Sequence, residues 1–168
     1  MATDYFLKID GIPGESRDGK HKDEIEVQFY TWGAQNVGEA TGGSSSSGKA
    51  QMADLNCGIK PDKAYPALLH HVATGAHIKS AILTCRRAGG KQEDYARYAL
   101  TDIIVTSVDY GSQGPPVSNS RDDLAKHDAI WFSFSVAELE LEYKEQKADG
   151  SLGPATKIKY NLKRMQAG

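Results

Sequence analysis

Apolar side chains recur at every second residue over much of this chain, a spacing that fits extended strands and not helices. Ile25, Val27 and Phe29 alternate with Glu24, Glu26 and Gln28, while Ile158, Tyr160 and Leu162 alternate with Lys157, Lys159 and Lys163. Such segments bury one face and wet the other. Tyr5, Leu7 and Ile9 mark a first strand of the same kind. By contrast, His77–Arg87 and Asp94–Asp109 carry apolar residues on both parities, as in Ala81-Ile82-Leu83 and Ile103-Ile104-Val105, so these strands are expected to be covered on both faces. The glycines of Arg87-Ala88-Gly89-Gly90-Lys91 predict a hairpin turn between them.

Within Asp128–Gln146 the apolar positions change parity, from Ile130, Phe132, Phe134 and Val136 to Leu139, Leu141 and Tyr143. A strand changes faces through an extra residue or a bend, so a β-bulge or barrel corner is expected at Val136–Glu138. One helix is expected over about 66–74: Pro66 suits the first helical position, Leu68, Leu69, Val72 and Ala73 form a stripe, and Gly75 stops it. Tyr65 then occupies the N-cap, where hydroxyl and carboxylate side chains are preferred, and Tyr65→Ser is expected to raise thermal stability. Ala34–Gly48 and Gly111–His127 read as long loops. The fold class is mainly β, a barrel or two-sheet sandwich with one flanking helix.

Composition limits how these strands are buried. Leu, Ile, Val and Phe make up 32 of 168 residues, near the level at which disorder sets in. The 20 basic side chains nearly balance 22 acidic ones, however, and 14 aromatic residues are available to pack, so one folded domain over 1–168 is expected. A thin core can be completed by burying surface against further copies of the chain. The net charge of −2 and pI near 6.2 lack the basic footprint of a nucleic-acid binder. The longest unbroken apolar run is Ala129 to Phe132, far from the ~20 residues that span a bilayer. Met1–Asp10 has no apolar core of a secretory signal, so cytoplasmic synthesis is expected. Cys57 and Cys85 share parity with apolar neighbours and read as buried thiols.

Motifs for chemistry are sparse. Gly43-Ser-Ser-Ser-Ser-Gly48-Lys49 matches the start of a phosphate-binding loop, but Ala50 stands where a magnesium-binding hydroxyl belongs and no buried parallel strand precedes it. A small nucleotide-binding barrel is therefore only an alternative reading. Adjacent histidines such as His70 and His71 diverge by about 100° on a helix, so His70, His71, His77, His21 and His127 are taken as surface residues with no metal site. Glu138-Leu-Glu-Leu-Glu142 reads as a solvated strand face without an acid/base partner, and no nucleophile constellation is evident, so neither an enzyme nor a cofactor is expected.

Tyr5-Phe6-Leu7-Lys8-Ile9-Asp10-Gly11-Ile12, Gly14-Glu15-Ser16-Arg17-Asp18, His21-Lys22 and Glu24-Ile25-Glu26-Val27 together resemble the opening of the haemolysin-coregulated protein (Hcp) family. Trp32-Gly33, the loop ending Gly48-Lys49, Asp62-Lys63, Leu68-Leu69, Thr74-Gly75-Ala76-His77-Ile78 and Leu83-Thr84-Cys85-Arg86-Arg87-Ala88-Gly89-Gly90 follow in the family's order. So do Phe132-Ser133-Phe134 and Glu140-Leu141-Glu142-Tyr143, and the resemblance extends over nearly the whole chain.

The resemblance implies a β-barrel with one flanking helix, assembled as a homohexameric ring whose copies stack into the inner tube of a type VI secretion system. It implies effector proteins in the ring lumen, sheath and spike components as partners, and export through the machine without a signal peptide. Longer relatives carry a C-terminal toxin domain, and none is expected here. A phage-like tail-tube protein, which shares the architecture, is the alternative. Tyr30-Thr31-Trp32-Gly33 resembles a lumen-wall segment, which makes Thr31 the expected cargo-facing residue. Thr31 shares parity with Ile25, Val27 and Phe29, so it faces the lumen only if the strand bends near Tyr30. Gly42, Gly43, Ser44, Ser45, Ser46, Ser47, Gly48 and Lys49 are the expected ring-stacking loop, within an arm spanning Ala34–Ala50.

Overall fold

Alternating strands satisfy their backbone groups and hide their apolar faces together when the sheet closes on itself. The computed structural model, which describes residues 2–37, 49–111, 128–162 and 166–167, has this form. Its strands are β1 (Thr3–Ile9), β2 (Ile25–Thr31), β3 (Ala34–Val37), β4 (Lys49–Met52), β5 (Leu55–Ile59), β6 (His77–Arg87), β7 (Asp94–Gly111), β8 (Ala129–Gln146), β9 (Leu152–Asn161) and β10 (Gln166–Ala167), with helix α1 (Tyr65–Thr74) after β5. The main sheet runs β10-β9-β8-β5-β2-β1-β6-β7, and a further β8–β7 pairing closes six of these strands into a barrel. β9 and β10 continue the sheet beyond β8, whereas among the described residues β3 and β4 pair only with each other.

The barrel is filled by the alternation seen in the sequence. Leu7, Ile25, Leu55, Leu83, Ile103, Phe132 and Phe134 are fully enclosed, each contributing about 1.5–3 kcal/mol by burial. Leu68 of α1 is likewise enclosed, and the helix packs on β7. Cys57 and Cys85 are both buried and unpaired, as expected, and burial pushes both thiols up. The glycine hairpin joins β6 to β7, with Arg87 N–H donating to the Glu93 carbonyl at 3.1 Å.

β6 is covered on both faces near its end, where Thr84 and Arg86 are buried and Arg86 reaches Asp18 of the 13–24 segment. There the Arg86 Nη2 donates to Asp18 at 2.7 Å and to Asp4 at 3.1 Å, and the guanidinium lies 4.6 Å from the Phe6 ring centroid. Phe6 in turn stacks on His21 at 4.3 Å. His21 is thus buried and held by Glu24 at 2.9 Å, which corrects its reading as a surface residue.

Three further expectations change, and a fourth, the bulge or barrel corner at Val136–Glu138, holds as a corner and not as a bulge. The β8–β7 register runs from Leu139 through Val136 to Phe134 without a shift, so there is no bulge at Val136–Glu138. The irregularity lies across the ladder, at Asp102 with its left-handed φ of 53°. On its other edge β8 leaves β5 at Phe134 and takes up β9 at Glu138, a change of neighbour that makes the barrel corner. The N-cap of α1 is Ala64, not Tyr65, and it makes no side-chain cap. Asp62 does that work from upstream, its Oδ1 accepting from Ala64 N–H at 2.8 Å. The buried stripe is accordingly Ala64, Leu68 and the half-buried Ala67 and Val72, with Leu69 and Ala73 facing out. Finally, Ala34–Val37 is a strand and not the start of a loop, and the expected loop at Gly111–His127 lies outside the described residues beyond Gly111.

Candidate functional site

Thr31 reaches the outside of the barrel because β2 is irregular. Its register with β5 shifts between Val27 and Phe29, so Gln28 is an extra residue and the parity of the strand reverses. Tyr30 turns inward, its hydroxyl 3.5 Å from the Cys85 Sγ and 3.4 Å from the Tyr98 hydroxyl. Burial among these neighbours pushes the Tyr30 phenol well up, leaving it neutral. Phe29 and Thr31 therefore face out, and the bend that Thr31 required is present two residues earlier than expected.

Register then extends this outer wall across four strands. Thr31 lies beside Asn56, Asn56 beside Ser133, and Ser133 beside Ser107. The adjacent row is Phe29, Gly58, Trp131 and Asp109. The second row is close-packed: a Cβ on Gly58 would stand 2.6 Å from the Trp131 ring, whose centroid is 5.8 Å from that of Phe29. The first row is polar. A second bulge, between Val105 and Ser107, leaves Thr106 exposed, and its hydroxyl donates to Asp54 Oδ2 at 2.7 Å. Ser133 lies 2.7 Å from the Thr106 hydroxyl and 2.6 Å from that of Ser107. Since each hydroxyl has one proton and that of Thr106 goes to Asp54, the donors run Ser107 to Ser133 to Thr106 to Asp54. This chain fixes rotamers on a wall. It does not pair a nucleophile with a base and an orienting group.

Next to this wall the chain leaves the barrel. Trp32 Nε1 donates to the Ala53 carbonyl at 2.6 Å, and Ala53 N–H to the Gly33 carbonyl at 2.9 Å, clamping the base of the β3–β4 ribbon. The ribbon pairs Ala34 with Met52 through to Val37 with Lys49, and Gln35, Asn36 and Gln51 are exposed. Of the expected stacking residues only Lys49 is described, and only by its backbone; Gly42, Gly43, Ser44, Ser45, Ser46, Ser47 and Gly48 lie outside the described residues. Lys49 opens a strand, whereas a phosphate-binding lysine opens a helix, so the nucleotide reading loses its context.

The remaining sequence signals are structural. Glu138, Glu140 and Glu142 are half-buried, not freely solvated: Asn161 Nδ2 donates to Glu138 at 2.6 Å, Lys159 stands opposite Glu140, and Lys157 reaches Glu142 at 3.0 Å. The Lys157 ammonium holds the Glu142 carboxyl below its usual value. His70 is exposed, His77 contacts Asp102 at 2.6 Å, and His127 lies outside the described residues. No cluster of metal-ligating side chains occurs among the described residues. Sequence reasoning missed the hydroxyl chain, although the change from odd Ile103 and Val105 to even Val108 carried the signal of its bulge.

Comparison with known proteins places this geometry. The family model for the type VI secretion system effector Hcp matches residues 6–148. Protein hcp1 of Pseudomonas aeruginosa is 34% identical over 166 residues, covering 97% of each chain. The crystal structure of Hcp1 from Salmonella typhimurium superposes with a TM-score of 0.78 at 31% identity over 100% of both chains. The structure of a type six secretion system protein gives a TM-score of 0.85 at 25% identity, over 99% of this chain and 100% of that one. The chain belongs to the Hcp family, the tube proteins of type VI secretion systems.

Proposed function

We propose that this chain builds a six-subunit ring, that rings stack through the β3–β4 ribbon and the Gly42–Lys49 segment, and that the outer wall carrying Thr31 lines the lumen. The observation that carries this reading is the ribbon. Two short strands that leave Ala34, Gln35, Asn36 and Gln51 exposed, with no third strand paired to them among the described residues, are marginal in water, and a neighbouring copy supplies the burial they lack. A heterologous contact that closes makes a ring, and a second that repeats makes a tube. The wall is a binding surface for an exported protein, with sheath and spike components as further partners. The chain acts as one domain with a structural, non-enzymatic role, in keeping with a family that leaves the cell through the type VI machine.

Deleting Ser44–Ser47 tests the assignment of the stacking contact. Rings are expected to persist in size-exclusion chromatography with light scattering, while tubes seen by electron microscopy become shorter and dissociate at lower salt or higher dilution. Tubes of unaltered length and stability would overturn it.

A further inference from the structure

We propose that copies of this chain dock head to tail, with an apolar shelf on β8 and β9 of one copy seated on the α1 corner of the next. The inference rests on the ring-and-tube reading and names the two surfaces that meet.

The shelf is the barrel lining continued past the barrel. Along β8, Leu139 is buried, Leu141 half-buried and Tyr143 46% exposed. Ile158 stands opposite Leu141 in the β9 register and is 55% exposed. Tyr95 meets Tyr143 edge-on at 6.2 Å, and the Arg87 guanidinium lies 5.2 Å from the Tyr95 ring, giving the shelf a cationic rim. At the other end of β7, Tyr65 and Tyr110 meet at 5.2 Å, and Leu69 projects one helical turn from Tyr65, 43% exposed. Asp128 accepts from the Tyr110 hydroxyl at 3.1 Å, giving the corner an anionic edge.

The patches therefore match in apolar character and oppose in charge, which favours their mutual docking. They cannot meet within one chain. Tyr98, opposite Leu141, and Tyr110 are separated by about 40 Å of β7 at ~3.3 Å per residue. Two unlike patches at opposite ends of one subunit form a heterologous contact, so the occupant of the shelf is a second copy.

Two measurements test this. Ile158→Asp and Leu69→Asp, both at exposed positions, are each expected to bring the assembly down to the 18.2 kDa monomer in light scattering with an unchanged circular dichroism spectrum, while Lys22→Asp leaves it assembled. Separately, a chain carrying Ile158→Cys and Leu69→Cys, treated with a short bis-maleimide, is expected to give a ladder of covalent oligomers that neither single cysteine variant gives. Assembly of wild-type size in both Asp variants, or an assembled double-cysteine protein with no ladder, overturns the docking while the ring reading stands. A wild-type chain that is monomeric at every concentration overturns both.

Discussion

Asp18 shows how a single side chain can tie an irregular segment to the barrel. The Arg86 guanidinium beside it, with the Lys20 and His21 backbone N–H groups, holds its carboxyl well below the usual carboxylate range. A depressed folded-state value means that the charged form is favoured by folding. Its contribution is therefore complete above the unfolded value near 4 and is lost as pH falls below it. Asp18→Asn is expected to destabilise the chain by about 2 kcal/mol at pH 7, because a charge-assisted bond to a buried arginine is lost. The gap between wild type and variant should narrow in thermal melts as pH falls from about 4 to about 2, and a constant gap would reject the assignment. None of this was legible in the sequence, since Asp4 and Asp18 lie 82 and 68 positions from Arg86. Local parity sufficed for Cys57 and Cys85, where the partner is simply the strand's own buried face.

At the scale of elements, helix α1 was legible but misplaced by one residue at its start. Pro66 and Gly75 bracket it as expected, yet its N-terminal support comes from Asp62, and Glu15 joins in through a 2.8 Å bond from Lys63 N–H. Tyr65 is then the first helical residue, with its ring against Tyr110 and the core. Tyr65→Ser is accordingly expected to lower the melting temperature, by about 1–2 kcal/mol of lost packing, the opposite of what an N-cap at Tyr65 implied. A higher melting temperature would restore that cap. Strand irregularities divide in the same way. The parity of Val105 and Val108 exposes the bulge at Thr106 within one strand, but the face change in β8 depends on Asp102 of β7 and on the exchange of β5 for β9. A cause that sits on a neighbouring strand leaves no period in the sequence.

For the whole molecule, alternation fixed the strands but not the closure, because a barrel and a two-sheet sandwich present the same period-two pattern to a reader of one chain. What composition did expose was the shortage of large apolar side chains, 32 in 168, and the structure shows that even these are not all spent on the core: Leu69 and Ile158 stand outside it. A chain whose apolar surface is completed by its neighbours gains stability by mass action, since assembly draws on the folded state alone. Its melting temperature should therefore rise with protein concentration. Over a hundredfold range, scanning fluorimetry of the wild type is expected to show a steady upward shift of several degrees, each tenfold step being worth about 1.4 kcal/mol per mole of association. Ile158→Asp, which removes one side of the proposed contact from an exposed position, is expected to melt at a temperature that does not depend on concentration and that matches the dilute limit of the wild type. A wild-type melting temperature that stays flat over the same range would mean that folding and assembly are independent, and that the thin barrel is stable without its neighbours.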